Sequence, residues 1–117
     1  MDRFDAYVAM SPDGPGKMFP EHAWNGIRKP VLILTGTRDQ ALDGDWTTRT
    51  VPYDDLPAGC KWLGVIDGAT HLNFAGIGMS GKTEKLTLLE TKAFLDGLRS
   101  GKCGMPAQAE GITLRSK

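Results

Sequence analysis

Two side chains of this chain have the types and the setting for acid–base chemistry. Asp39 closes the stretch KPVLILTGTRD (residues 29–39), and His71 stands inside LGVIDGATHLNFAG (residues 63–76). Each follows a run that reads as a β-strand. Neighbouring parallel strands lie about 5 Å apart, so side chains just beyond their carboxyl ends can meet. A carboxylate within reach of an imidazole fixes its tautomer and stabilises its protonated form. Such a pair is the acid and base of a nucleophilic triad, and it needs a third member to act on a substrate. The competing reading is a loop Asp and a loop His that never touch. Ser11 also follows a strand-like run, but Pro12 comes next and the loop is rich in Gly and Pro. That context makes Ser11 an ordinary turn residue rather than a substitute nucleophile.

A second pattern invites a phosphate. Gly76 to Thr83 (GIGMSGKT) satisfies G-x-x-x-x-G-K-[ST]. In a nucleotide binder of that type, backbone N–H groups cradle phosphates and Lys82 would reach the terminal one. No convincing strand enters the motif, no acidic strand end follows it, and too few residues remain after Thr83 for a nucleotide-binding sheet. A chance match in a chain with 15 Gly is the stronger reading. His22 reads as a surface histidine. Trp24, Trp46 and Trp62 read as core or pocket-wall aromatics rather than a stacking platform for nucleic acid. The residues suggest no cofactor and no metal set.

These residues depend on the elements that carry them. Residues 4–10 (FDAYVAM) predict a short strand, and Ser11-Pro12-Asp13-Gly14-Pro15-Gly16 predicts a loop. Residues 20–28 suggest a helical turn or two with Pro20 near its start. Residues 31–35 (VLILT) are continuously apolar, the mark of a strand covered on both faces. Gly36 to Gly44 reads as a loop, and residues 45–58 are ambiguous, with Pro52 and Pro57 limiting any helix. Residues 61–66 (KWLGVI) predict a third strand, and residues 67–71 a tight turn after it. Residues 83–99 predict a helix whose apolar stripe is Leu86, Leu89, Ala93, Phe94 and Leu98, with Glu84, Glu90 and Asp96 off it. Gly101 is a stop signal. The tail after it is polar except for Ile112-Thr113-Leu114.

Strands alternating with helices argue for a parallel sheet with right-handed crossovers. In such sheets function gathers beyond the carboxyl ends of the strands. Three groups sit there: Ser11-Pro12-Asp13, Thr37-Arg38-Asp39 and Gly68-Ala69-Thr70-His71. The same topology puts Cys60 and Cys103 at the amino end of the third strand, one before it and one after the helix that returns along it. A disulfide is expected, and it would favour an exported origin.

Composition narrows the classes. The chain has 117 residues, 14 Lys+Arg against 14 Asp+Glu, and 40% hydrophobic residues. One domain over residues 1–117 is the natural count. The apolar fraction is too high for disorder. No apolar run of 18 residues would span a membrane. No cluster of Lys and Arg marks a nucleic-acid surface. Met1 is followed by Asp2, Arg3 and Asp5, not by a basic start and an apolar leader, and localisation stays open.

KPVLILTGTRD and LGVIDGATHLNFAG together resemble the last third of an α/β-hydrolase. The esterase/lipase branch is most similar, with its dienelactone-hydrolase-like, chlorophyllase-like and platelet-activating-factor-acetylhydrolase-like proteins. FDAYVAMSPDGPG (residues 4–16) is similar to the strand and loop that follow the nucleophile helix there, so the resemblance covers nearly the whole chain. It implies Asp39 as triad acid and His71 as triad base. It also implies a nucleophile elbow, G-x-S-x-G, and an oxyanion-hole loop upstream of residues 4–10. Neither is present; the nearest string, Gly78-Met79-Ser80-Gly81, lacks the second Gly at the right spacing. The expectation is therefore a partial α/β-hydrolase fold of about three parallel strands with flanking helices. It would be a carboxylic-ester-hydrolase fragment with acid and base but no nucleophile, weakly active or inactive alone. Its substrate would be a small ester. Its partner would be a complementing N-terminal hydrolase half or a second copy of the chain joined along the open first strand or through the uncovered faces. The alternatives are a non-catalytic self-associating domain and, behind it, a nucleotide binder through GIGMSGKT.

Overall fold

The strand that reads most strongly in the sequence sits at the centre of the sheet. In a computed structural model, which describes residues 6–13, 22–41, 44–78, 80–101 and 103–117, Val31 to Gly36 are all buried. They belong to β2 (Val31–Arg38), which pairs in parallel with β1 (Tyr7–Met10) on one side and with β3 (Lys61–Thr70) on the other. Alternate residues of β2 enter two separate cores. Leu32 and Leu34 pack with Ile66, Ala69, Leu86, Phe94 and Ile112 on one face. Val31 and Ile33 pack with Tyr53, Leu56 and Leu63 on the other. Full burial of each such side chain stabilises by about 1.5–3 kcal/mol, which explains an apolar run without alternation.

The sheet has four strands in the order β1-β2-β3-β4, not about three, and it is mixed rather than wholly parallel. β4 (Ile112–Ser116) runs antiparallel to β3. Ile112 turns into the core while Thr113, Arg115 and Ser116 face outward, so five residues with one buried anchor suffice once β3 offers an edge. The architecture is α/β-like, with helices beside a sheet.

Both long strands run further than the apolar runs suggest. β2 continues to Arg38 and β3 continues through Asp67-Gly68-Ala69-Thr70 in place of the expected tight turn. Backbone pairing holds this extension together: Arg38 registers with Thr70 across an irregularity between Gly36 and Arg38, and the Asp67 N–H donates to the Gly111 carbonyl (2.8 Å). Gly36 makes this possible, since a Cβ there would lie 2.4 Å from Ala69.

The ambiguous stretch resolves into a 3₁₀ turn (Trp46–Thr50) running into α1 (Val51–Asp55), with Pro52 at the start of α1, where its missing N–H costs nothing. Residues 22–26 are turns rather than helix, and Phe4, Asp5 and residues 14–21 lie outside the described residues. α2 (His71–Phe74) follows β3 directly, and α3 (Gly81–Arg99) crosses back along the sheet. Cys60 and Cys103 are disulfide-bonded with Cα atoms 5.3 Å apart, as their place at the amino end of β3 suggests.

Candidate functional site

The two sequence-selected residues meet. Asp39 lies just past β2, and the irregularity at Gly36–Arg38 aims it: its N–H turns back to the Gly36 carbonyl at 3.0 Å. His71 is the first residue of α2. Thr70 caps that helix by accepting from the Asn73 N–H (3.2 Å), and the Asn73 side chain accepts from the Thr70 N–H (3.1 Å), a reciprocal capping box. Asn73 also donates to the Ile77 carbonyl at 2.9 Å, so the turn carrying the imidazole is pinned at both ends. His71 Nδ1 stands 3.3 Å from Asp39 Oδ1. The imidazole is 56% exposed, while the carboxylate has no exposure at all.

A carboxylate taken wholly out of water needs donors, and Asp39 has them. The Thr35 hydroxyl donates to Oδ2 at 2.8 Å and the Ser11 hydroxyl to Oδ1 at 2.7 Å. Arg49 Nε lies 3.1 Å from Oδ1. Arg49 is itself buried, and its guanidinium ties together the ends of β1 and β2. It donates to the carbonyls of Asp39 (3.3 Å), Ser11 (3.1 Å) and Gln40 (3.0 Å) and to the Asp13 carboxylate (2.8 Å).

Ser11 does not behave as a turn residue. It is buried, and its Oγ stands 2.5 Å from His71 Nδ1 as well as 2.7 Å from Asp39. Its φ of 53° lies in the left-handed region that favours glycine. The signal available in the sequence was positional: Ser11, Asp39 and His71 each follow a strand at the same sheet edge. Arg49 and Thr35 gave no such signal. Ser11 is nevertheless badly placed as a nucleophile. A triad nucleophile faces Nε2, opposite the nitrogen that the acid holds, whereas Ser11 shares Nδ1 with Asp39. Among the described residues nothing hydrogen-bonds Nε2, and the side chain as a whole is 56% exposed.

The glycine-rich motif is built differently from a phosphate cradle. It follows the short α2 rather than a strand. The N–H groups of Gly76, Ile77 and Ser80 already donate to the carbonyls of Asn73, Leu72 and Gly78. Lys82 Nζ donates to the Asp67 carbonyl at 3.0 Å, on the wall of an open cavity of about 580 Å³ that Arg38, Asp67, Asn73 and Thr83 also line. Among the described residues no three His, Cys, Asp or Glu side chains converge as a metal set, and no helix is long and apolar enough to cross a membrane.

What the fold and the site define together is an α/β protein with a buried Asp and an exposed imidazole joined at adjacent strand ends. Comparisons with protein-family models, with curated proteins and with solved structures found no match to this chain.

Proposed function

We propose that the chain is the acid–base part of a carboxylic-ester hydrolase of the α/β-hydrolase kind, with Asp39 as acid and His71 as base. The observation that carries this reading is the 3.3 Å approach of His71 Nδ1 to a fully buried carboxylate while the imidazole side chain stays more than half exposed. In this mechanism Asp39 and its donors hold the ring, and His71 Nε2 takes the proton of an attacking hydroxyl and returns it to the departing alcohol. The hydroxyl is a serine from a complementing hydrolase half or, weakly, water. A small ester is the substrate class.

The test is nitrophenol release from p-nitrophenyl acetate. The expected result is slow turnover, faster than an equal concentration of free imidazole, that falls to the imidazole level or below in His71→Ala and falls in Asp39→Asn. Equal rates in wild type and His71→Ala would remove the catalytic reading. They would leave a non-catalytic, self-associating domain, which one feature favours: among the described residues β1 is an edge strand with Met10 half exposed.

A further inference from the structure

We propose that Ser11 is the positioning residue that sets the tautomer of His71, its hydroxyl standing between imidazole and carboxylate in a His71–Ser11–Asp39 relay. The proposal deepens the acid–base reading of the site and rests on it for its use in catalysis.

The argument is one of proton count. A carboxylate only accepts, and a serine hydroxyl has a single proton to give. Ser11 Oγ lies 2.7 Å from Asp39 Oδ1, so the proton points there. The same oxygen lies 2.5 Å from His71 Nδ1. With its proton committed to Asp39, Ser11 meets that nitrogen with a lone pair, and Nδ1 must carry the hydrogen. A neutral imidazole protonated on Nδ1 has its free lone pair on Nε2, the arrangement a general base needs. The direct contact from Nδ1 to Asp39 is longer, at 3.3 Å, and it falls on Oδ1, which already accepts from Ser11 and is ion-paired with Arg49. Ser11 is therefore the nearer acceptor, and Asp39 acts on the imidazole largely through it.

The backbone supports this role. The Ser11 N–H donates to the Leu34 carbonyl at 2.7 Å, and the Ser11 carbonyl receives Arg49 Nη1 at 3.1 Å. Both ends of the residue are fixed while φ is held at 53°. Glycine adopts that conformation without penalty. A serine there is a sparsely populated state that persists only where its surroundings over-determine it, and what the side chain adds is the hydroxyl between the acid and the base.

Long-range ¹H–¹⁵N correlation of the imidazole nitrogens in the intact chain reads the tautomer directly. The chain has 2 His, so His22→Gln assigns His71. In wild type, at a pH where the ring is neutral, Nδ1 should show the protonated shift and Nε2 the unprotonated one. Ser11→Gly keeps the backbone comfortable and removes the hydroxyl. The two nitrogens should then move towards one another as the Nε2–H form becomes populated. Ser11→Ala repeats the loss with a β-carbon retained, should the glycine variant fold poorly. A wild-type spectrum with Nε2 protonated would overturn the proposal. So would an unchanged His71 pattern in a folded Ser11 variant, which would assign the ring's orientation to Asp39 alone. No substrate enters the experiment, so a chain without ester turnover can still pass it, and an active chain can still fail it.

Discussion

At the scale of single residues the site is organised around a charge that water cannot reach. Asp39 stands out in the sequence because it follows the most apolar strand, and His71 because it follows the next. Arg49 did not, because its value lies in where its side chain travels: from a 3₁₀ turn back to Ser11, Asp13, Asp39 and Gln40. No local pattern encodes such a path. Its energetic weight is nonetheless large. Removing one partner of a buried ion pair typically costs about 3–5 kcal/mol, because the other charge is left uncompensated. Arg49→Met should lower unfolding stability in urea by that order. Arg49→Lys should recover only part of it, since an ammonium cannot serve the planar fork of contacts that the guanidinium makes. A loss below about 1 kcal/mol for Arg49→Met would mean that Asp39 does not depend on this cation. Thr35 and Ser11 are neutral donors to the same carboxylate and cannot replace the charge.

At the scale of elements, α3 shows how far periodicity carries. The helix itself is legible in the sequence, and it starts at Gly81, two residues before the expected start at residue 83. The buried face was legible only in part. Leu86 and Phe94 are buried as expected, but Leu89 is 43% exposed, and Glu90, expected off the stripe, has no exposure. Leu86 and Phe94 pack with Leu32, Leu34 and Ile66 of the sheet, and the segment after the helix lies so close that a Cβ on Gly97 would stand 2.8 Å from the Cα of Gly104. The buried face is thus centred on Leu86, Glu90 and Phe94. Among the described residues no donor meets the Glu90 carboxyl oxygens at hydrogen-bond distance and angle. Burial raises its pKa above the ordinary 4.5, and the nearby Ala107 N–H offsets this only in part.

The folded state therefore binds the Glu90 proton more tightly than the unfolded chain does. As pH rises from about the ordinary value through the raised one, the unfolded state loses its proton first, and this group's contribution to stability falls. Glu90→Leu should remove that fall. At pH 7 the variant should be more stable by about 1–3 kcal/mol, the usual cost of an unsatisfied buried polar group. The gain should shrink towards pH 4. Thermal melts of both proteins across that range check it. A destabilised variant at pH 7 would mean that the carboxylate has a partner worth keeping.

At the scale of the whole molecule, the sheet's parallel part followed from the alternation of strands and helices, and its antiparallel edge did not. β4 is short and shows one apolar patch in a polar tail, so only its pairing with β3 marks it as a strand. The Cys60–Cys103 bond lies beside that pairing. It joins the residue before β3 to the segment that leaves α3 towards β4, with the Trp62 indole N–H donating to the Cys103 carbonyl at 3.3 Å. The bond spans a sequence separation of 43, for which the loss of unfolded-chain entropy corresponds to about 4 kcal/mol before any native strain. The paired Cys60→Ser and Cys103→Ser variant should therefore lose about 2–4 kcal/mol in urea unfolding. The site should feel little of this while the chain stays folded. β3 has 10 residues, so its amino end lies about 30 Å from the end that carries His71. The expected outcome is a lower urea midpoint with an unchanged His71 imidazole spectrum at zero urea. A perturbed spectrum in the folded variant would show instead that the bond reaches the site along β3. Two thiols alkylated without reductant in the wild-type chain would show that the bond does not form in solution.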